Sequence, residues 1–265
     1  MARKVKLAEM TWAEVKAALD SGTDTVIVPL GSVEQHSRHL PLITDSANVE
    51  WIAVKAAEGT DGVLVAPTVV YGISHNHIDF AGTVTLRMST LIALLKDIAH
   101  SLVKHGFRNI VFLNGHGGNN ATVAVAAIEL REETGATIAN IYTPNLMRNS
   151  AKVLESDIEW HADEGETSTA LVAIPELVDM SKAVREIPKP RPLFTFTEET
   201  LSRSVVDLGL PKTREITTSG TIGDATLATR EKGERMMGEA VETLIGVIAE
   251  LREAAREAAR ASDPS

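Results

Sequence analysis

Cysteine is absent from all 265 residues of the chain. That excludes disulfides, a cysteine nucleophile and thiolate metal sites, so any transition metal has to be held by histidine and carboxylate. No stretch approaches the roughly 20 consecutive apolar residues of a membrane span. The opening MARKVKLAEMTW carries basic residues with no apolar run behind them, which reads as no secretory signal. Positive charge is in deficit, 26 Lys and Arg against 36 Asp and Glu, for a formal charge of −10. Such a balance argues against nucleic acid or an anionic membrane as partner and is compatible with binding metal cations. A G-x-S-x-G elbow is missing, which disfavours an ordinary serine hydrolase. Neither an internal repeat nor a domain linker is visible. The expectation is a cytoplasmic chain whose residues 1–265 form one domain, acting on a small molecule.

What is present is an alternation of apolar runs and helical patterns, the rhythm of a parallel α/β sheet. Thr25 to Leu30, Gly62 to Pro67, Asn109 to Leu113 and Ala136 to Tyr142 read as strands. Helices are expected over Ser46 to Ala57, Thr90 to Lys104, Asn119 to Glu133, Thr167 to Ile174 and Arg230 to Ala261. Between about 185 and 220 the prolines 188, 190, 192 and 211 break the periodicity. This region reads as a long excursion of functional or subunit-contact character. Residues 262–265 read as a frayed tail.

Four polar clusters punctuate the apolar pattern. The first, GSVEQHSRHLPLITD, follows the first strand, where parallel sheets build their sites. Glu34 and His36 are two apart and share a side on an extended segment, and Asp45 returns near the next helix. A carboxylate, an imidazole and a second carboxylate suit a divalent ion. His39 is a further candidate. A lone Glu-x-His in a capping loop would look the same. The second cluster, NGHGGN, puts His116 at the end of the third strand. Gly117 and Gly118 let backbone amides approach an oxyanion, and Asn119 is placed to cap the helix. HADEGETS packs His161, Asp163, Glu164 and Glu166 before a helix, either as acid/base and ligand or as a plain acidic helix start. YGISHNHIDFAGTVTL offers His75, His77 and Asp79 as a substrate-pocket wall, or as structural histidines.

Taken in order, and with SGTIGDATLATREKGE towards the end, these segments resemble the creatininase (creatinine amidohydrolase) family from about Met10 to Gly238. The resemblance implies a three-layer α/β/α fold with a mostly parallel central sheet, and a homo-oligomer, frequently a hexamer. It also implies two divalent metal ions per chain, usually zinc, with manganese or iron in some members. Carried over by motif position, Glu34, His36, Asp45 and His116 are metal ligands, Asp45 bridging. The family's glutamate two residues after the NGH histidine is Gly118 here, and Glu166 of the ETS motif takes its part in GHGGN members. His161 matches the histidine near the reacting group, with Glu164 or Asp163 orienting it; Asp163 is also assigned to the substrate pocket. The implied activity is opening of a cyclic amide or related C–N bond by water activated at the metal. Asn76, Asp79, Ala81 and Asp163 depart from the usual motifs, which keeps hydrolytic C–C opening of an inositol-derived cyclic diketone as an alternative. A non-catalytic scaffold would predict lost ligands, whereas all five are present.

Overall fold

In the run TVIVPL all six residues are buried, and Thr25–Leu30 forms strand β1 inside a parallel sheet. A strand covered on both faces has no reason to alternate with polar residues, hence the unbroken apolar run. The computed structural model describes residues 3–188 and 211–262. Val63–Val65 (β2), Asn109–Asn114 (β3) and Thr137–Tyr142 (β4) complete the sheet in the order β2-β1-β3-β4, every pair parallel. Pro29 is tolerated within β1 because β2 pairs only as far as Ile27. Beyond that point Val69 N donates to the Pro29 carbonyl, and the missing Pro29 N–H costs no ladder bond.

Helices connect and cover the strands. Trp12–Asp20 (α1) precedes β1, and Thr44–Glu58 (α2), Met88–His105 (α3) and Asn120–Thr134 (α4) are the three crossovers. Glu164–Ala173 (α5), the single turn Thr213–Ile216 (α6) and Arg230–Ser262 (α7) follow. Side chains alternate across a strand, and that period sorts the core into two clusters. Ile27, Val111 and Leu113 pack with Val49, Ile52 and Ala53 of α2 and with Met237, Ala240 and Leu244 of α7. Val26, Val28, Ile110 and Phe112 pack with Leu91 and Leu95 of α3 and with Val123 and Leu130 of α4. The architecture is the expected three-layer α/β/α sandwich. Among the described residues, no helix is long and apolar enough to cross a membrane.

Three local expectations are corrected. The second helix starts at Thr44, two residues before the expected Ser46, and Asp45 lies in its first turn, at the helix start as expected. The fifth starts at Glu164, three residues early, because the Asp163 carboxylate accepts the Glu166 N–H at 2.9 Å and caps it. Asn119, expected to cap the fourth helix, makes no capping bond. Its side chain instead accepts from Ile73 N (2.9 Å) and donates to the Gly31 carbonyl (3.0 Å), pinning together the loops that follow β1 and β2. Of the Pro-containing excursion, residues 189–210 lie outside the described residues, as do residues 263–265 of the tail. Its two flanks return to the body, where Arg185–Glu186 (β5) pairs antiparallel with Gly223–Asp224 (β6).

From β1 the chain passes to β2 on one side and then crosses to β3 on the other. The sheet therefore has its switch point between β1 and β3, at whose carboxyl ends a crevice opens. Gly115, just beyond β3, lies where a Cβ would press on the Asp45 carbonyl and Val49 at 2.9 Å. Only glycine lets the end of β3 sit this close to the start of α2.

Candidate metal centre

That crevice is where the histidines and acids converge. Glu34, His36 and Asp45 come from the loop after β1 and the first turn of α2, and His116 from the loop after β3. Glu166 comes from the first turn of α5, and His161 from just before it. The His161 backbone is bridged to Ile222 in both directions (3.3 and 2.8 Å). Its neighbour Ala162 has φ +46°, a left-handed conformation that a non-glycine residue keeps only when its surroundings enforce it. The turn sends the imidazole into the crevice and lets Ala162 N donate to Glu166 Oε2 at 2.6 Å.

Three of the histidines are arranged alike. His36 Nδ1 donates to the Glu34 carbonyl (3.1 Å), His116 Nε2 to the Ile73 carbonyl (2.9 Å) and His161 Nε2 to the Gln35 carbonyl (2.7 Å). Each carbonyl fixes a tautomer and leaves the opposite nitrogen facing carboxylates. His36 Nε2 lies 3.1 Å from Asp45 Oδ1 and 3.6 Å from Glu166 Oε2, and His116 Nδ1 lies 3.0 Å from Asp45 Oδ2. His161 Nδ1 is 3.7 Å from Glu34 Oε1 and 3.8 Å from Glu166 Oε2. Lone pairs thus point at lone pairs. Glu34 Oε2 and Asp45 Oδ2 are buried and receive no hydrogen bond. A buried set of acceptors without a donor demands a cation.

Without another cation, protons fill that demand. Burial disfavours charge on His36, but the adjoining Asp45 raises it to about 10; burial opposes and Glu34 with Asp45 raises His116 to about 9. Burial works against ionised Asp45 too, yet the two imidazoles hold its carboxyl well below the usual range. Burial pushes Glu166 up to about 7 and drives His161 down. A divalent ion would replace those protons. Two trios of donors suit one: Glu34 with Asp45 and His116, and His36 with Asp45 and Glu166, so that Asp45 belongs to both. A third trio joins Glu34, His36 and His161. Nitrogen and carboxylate donors without sulfur fit zinc or manganese.

The other expected residues divide. His77 joins the cluster: its Nε2 lies 3.4 Å from Glu34 Oε1, while Gln35 Nε2 approaches its Nδ1 at 2.9 Å. His75 and Asp79, expected in a pocket wall, are exposed. Gly117 and Gly118 form a single 3-10 turn beside the cluster, and a side chain on Gly118 would overlap the Ile73 carbonyl and the His116 ring. Glu164 is not beside His161. Its carboxylate is fully buried against the Lys232 ammonium and accepts from Glu155 N and Ser156 N, both 2.8 Å, so it anchors α7. His39 is buried with Nε2 2.9 Å from Thr167 Oγ1.

Sequence reasoning passed over Gln35, although it stands between the ligand candidates Glu34 and His36. Its side chain contacts His77 and the Gly220 carbonyl (3.3 Å) and accepts from Ser37 N (2.9 Å). A cavity of about 540 Å³ was equally invisible: Asp45 and Glu166 line it together with Tyr142, Glu159, Trp160 and Asp163. Its wall draws on segments more than a hundred residues apart, and no local motif announces that.

Comparison with known proteins shows the family and the fold. The family model described as creatininase, creatinine amidohydrolase, matches residues 8–248. The creatinine amidohydrolase of Pseudomonas putida is 28% identical over 94% of this chain and 98% of its own length. The mycofactocin precursor peptide peptidase of Mycolicibacterium smegmatis is 33% identical over 84% of this chain and 83% of its own. The 3-dehydro-scyllo-inosose hydrolase of Thermotoga maritima is 29% identical, covering 91% and 80%. Among solved structures, a manganese creatininase superposes with a TM-score of 0.80 at 27% identity, covering 94% of this chain and 98% of that one. A creatininase mutant of Zn-Zn type does so at 0.79 and 25%, with the same coverage.

Proposed function

The chain belongs to the creatininase family of metal-dependent hydrolases, and from that premise we propose that it cleaves an amide-type C–N bond in a small polar substrate, using two divalent ions that share Asp45. Glu34, His36, Asp45, His116 and Glu166 would hold the ions. When bound, the metal polarises the scissile carbonyl and lowers the pKa of water so that it attacks at neutral pH. The observation that carries this reading is the set of three buried histidines, each tied by one ring N–H to a carbonyl and each presenting its other nitrogen to carboxylates.

The chain's own residues do the rest. Glu166 takes the part that a glutamate at position 118 plays in creatininase. His161 is the proton carrier: with Nε2 tied to the Gln35 carbonyl, only Nδ1 faces the cluster. Nδ1 accepts a proton from the attacking water and passes it to the departing nitrogen as the C–N bond breaks. Burial that drives the imidazole pKa down makes its protonated form a ready acid for that nitrogen. Gln35 holds both His77 and the loop at Gly220 in register with His161. The substrate occupies the cavity onto which Asp45 and Glu166 open. Exposed Trp12, Met88 and Ile128 support assembly with further copies of the chain, a hexamer by family likeness.

The likeness to the Thermotoga maritima hydrolase supports a second reading, in which the same centre opens a C–C bond of a cyclic diketone. The deciding experiment is elemental analysis of purified protein with parallel assays on lactams, N-formyl amines, short peptides and a cyclic diketone. About two divalent ions per chain and hydrolysis of an amide that stops on chelation are the expected results. Amide hydrolysis persisting in verified metal-free protein would overturn the scheme.

A further inference from the structure

Tyr142 ends β4 and is paired in register with Asn114, the last residue of β3. From Asn114 the chain enters the turn that carries His116. The Asn114 side chain ties that turn down: its Nδ2 donates to the His116 carbonyl at 2.8 Å, and its Oδ1 accepts from His116 N at 3.1 Å. The sheet register therefore sets the Tyr142 ring beside the turn. The tip of the ring reaches Gly117, where a Cβ would come within 3.3 Å of Tyr142 Oη. Glycine there leaves the hydroxyl its room.

This hydroxyl has no part in holding the histidines and carboxylates of the cluster. Among the described residues it makes no hydrogen bond. Asp45 Oδ2 and Glu34 Oε2 stay without a hydrogen bond although both are buried. Tyr142 is half-buried, and a phenol in such a place usually finds a partner. It lines instead the cavity of about 540 Å³ onto which Asp45 and Glu166 open. A donor left over in that wall is available to whatever occupies the space.

We infer that Tyr142 is a further catalytic residue, whose hydroxyl donates a hydrogen bond to the oxygen of the scissile carbonyl as water adds to it. The inference rests on the reading that this cavity receives the substrate. As the water oxygen bonds to the carbonyl carbon, the π pair of the C=O bond moves onto oxygen and the water proton goes to His161. Tyr142 keeps its own proton and shares it with the new oxyanion; a phenol of ordinary pKa, about 10, is a full donor at neutral pH. When the C=O bond re-forms, the C–N pair leaves with the nitrogen, which takes the proton from His161. A donor aimed where charge develops binds the transition state better than the ground state, so it raises kcat. A neutral donor also suits a crevice crowded with carboxylates, where an ammonium would pair with Asp45 or Glu166 instead. The same oxyanion forms if carbon is the leaving atom, so the role holds for either bond.

Tyr142→Phe removes one oxygen atom and keeps the ring. On the amide that the wild type hydrolyses, kcat is expected to fall about 10- to 100-fold with KM within about twofold. Metal content and melting temperature should match the wild type. A raised KM at unchanged kcat, or no change in either, would overturn the inference. Methylphosphonate, a tetrahedral anion, gives a second readout that needs no turnover. Calorimetric titration of the metal-loaded proteins should show Tyr142→Phe binding it about tenfold more weakly than the wild type. Equal affinity in the two proteins, or no binding by the wild type, would also count against the hydroxyl and overturn its role. The two readouts keep this inference apart from the proposed function. Tenfold weaker binding by the variant of a protein that hydrolyses no amide would defeat the amide reading and leave the oxyanion donor standing. An active amidase whose Tyr142→Phe variant keeps its kcat would do the reverse.

Discussion

Gly118 lies against Ile73 so closely that a methyl group in its place would overlap the Ile73 carbonyl oxygen and the His116 ring. That carbonyl accepts the His116 Nε2 hydrogen at 2.9 Å and thereby sets which nitrogen faces Asp45. The position cannot carry a glutamate without moving the imidazole that needs the carbonyl.

Gly118→Ala is accordingly expected to weaken metal binding by about 10- to 100-fold, the usual effect of disturbing a partner behind a ligand. Folding should persist, since the displaced atoms belong to the loop and not to the sheet. Competition with a fluorescent chelator measures the affinity. Unchanged affinity would mean that the Ile73 carbonyl does not orient His116.

Glu166→Gln and Asp45→Ala separate the two trios. Asp45 belongs to both, so its loss is expected to leave close to no bound metal. Glu166 belongs to one, so Glu166→Gln should retain about one ion per chain of an original two. Elemental analysis after gel filtration gives both numbers. Full metal retention in Glu166→Gln would remove it from the ligand set.

Lys232→Met leaves the Glu164 carboxylate, which has no exposed surface, without its cation. Breaking a buried pair by removing one partner costs about 3–5 kcal/mol. Urea unfolding should show a loss of that order, and the double variant with Glu164→Gln should recover much of it. Little loss in the single variant would show that the two backbone amides alone satisfy Glu164.

His39 gives the stability a pH dependence of known sign. Burial, then the charge at His36, lowers His39 to about 4 from its ordinary 6.5. Between those values the unfolded chain binds a proton that the folded chain refuses, so stability rises with pH there. The contribution is complete above 6.5 and is lost as pH falls towards 4. Wild type should therefore lose melting temperature faster than His39→Gln over that interval, as calorimetry across the range would record. Parallel curves for the two proteins would assign the acid sensitivity to other groups.

Much of the fold was legible because burial on both faces leaves a plain mark. TVIVPL and NIVFLN are apolar through most of their length, and both are interior strands. The loops after those strands carried their donors openly: Glu34, His36, Asp45 and His116 all lie in the cluster. Less legible was anything set by packing between distant segments. The pinning of three loops by Asn119 depends on Gly31 and Ile73, which no periodicity connects to it. His75 and His77 look equivalent in sequence, yet one is exposed and the other lies against Glu34.

The limit is clearest in two pairs with the same spacing. Glu34 and His36 are two residues apart on a non-helical segment, and both side chains enter the crevice. Glu164 and Glu166 are also two apart, yet one pairs with Lys232 and the other faces His36. Successive side chains on a helix turn by about 100°, so residues two apart point nearly opposite ways, whereas on an extended chain they point the same way. The sequence by itself determined which residues could bind metal and at which ends of the strands. The motif resemblance pointed to Glu166, but only the tertiary structure shows why Glu166 faces the cluster and Glu164 turns to Lys232: that depends on where α5 begins and which of its faces meets α7.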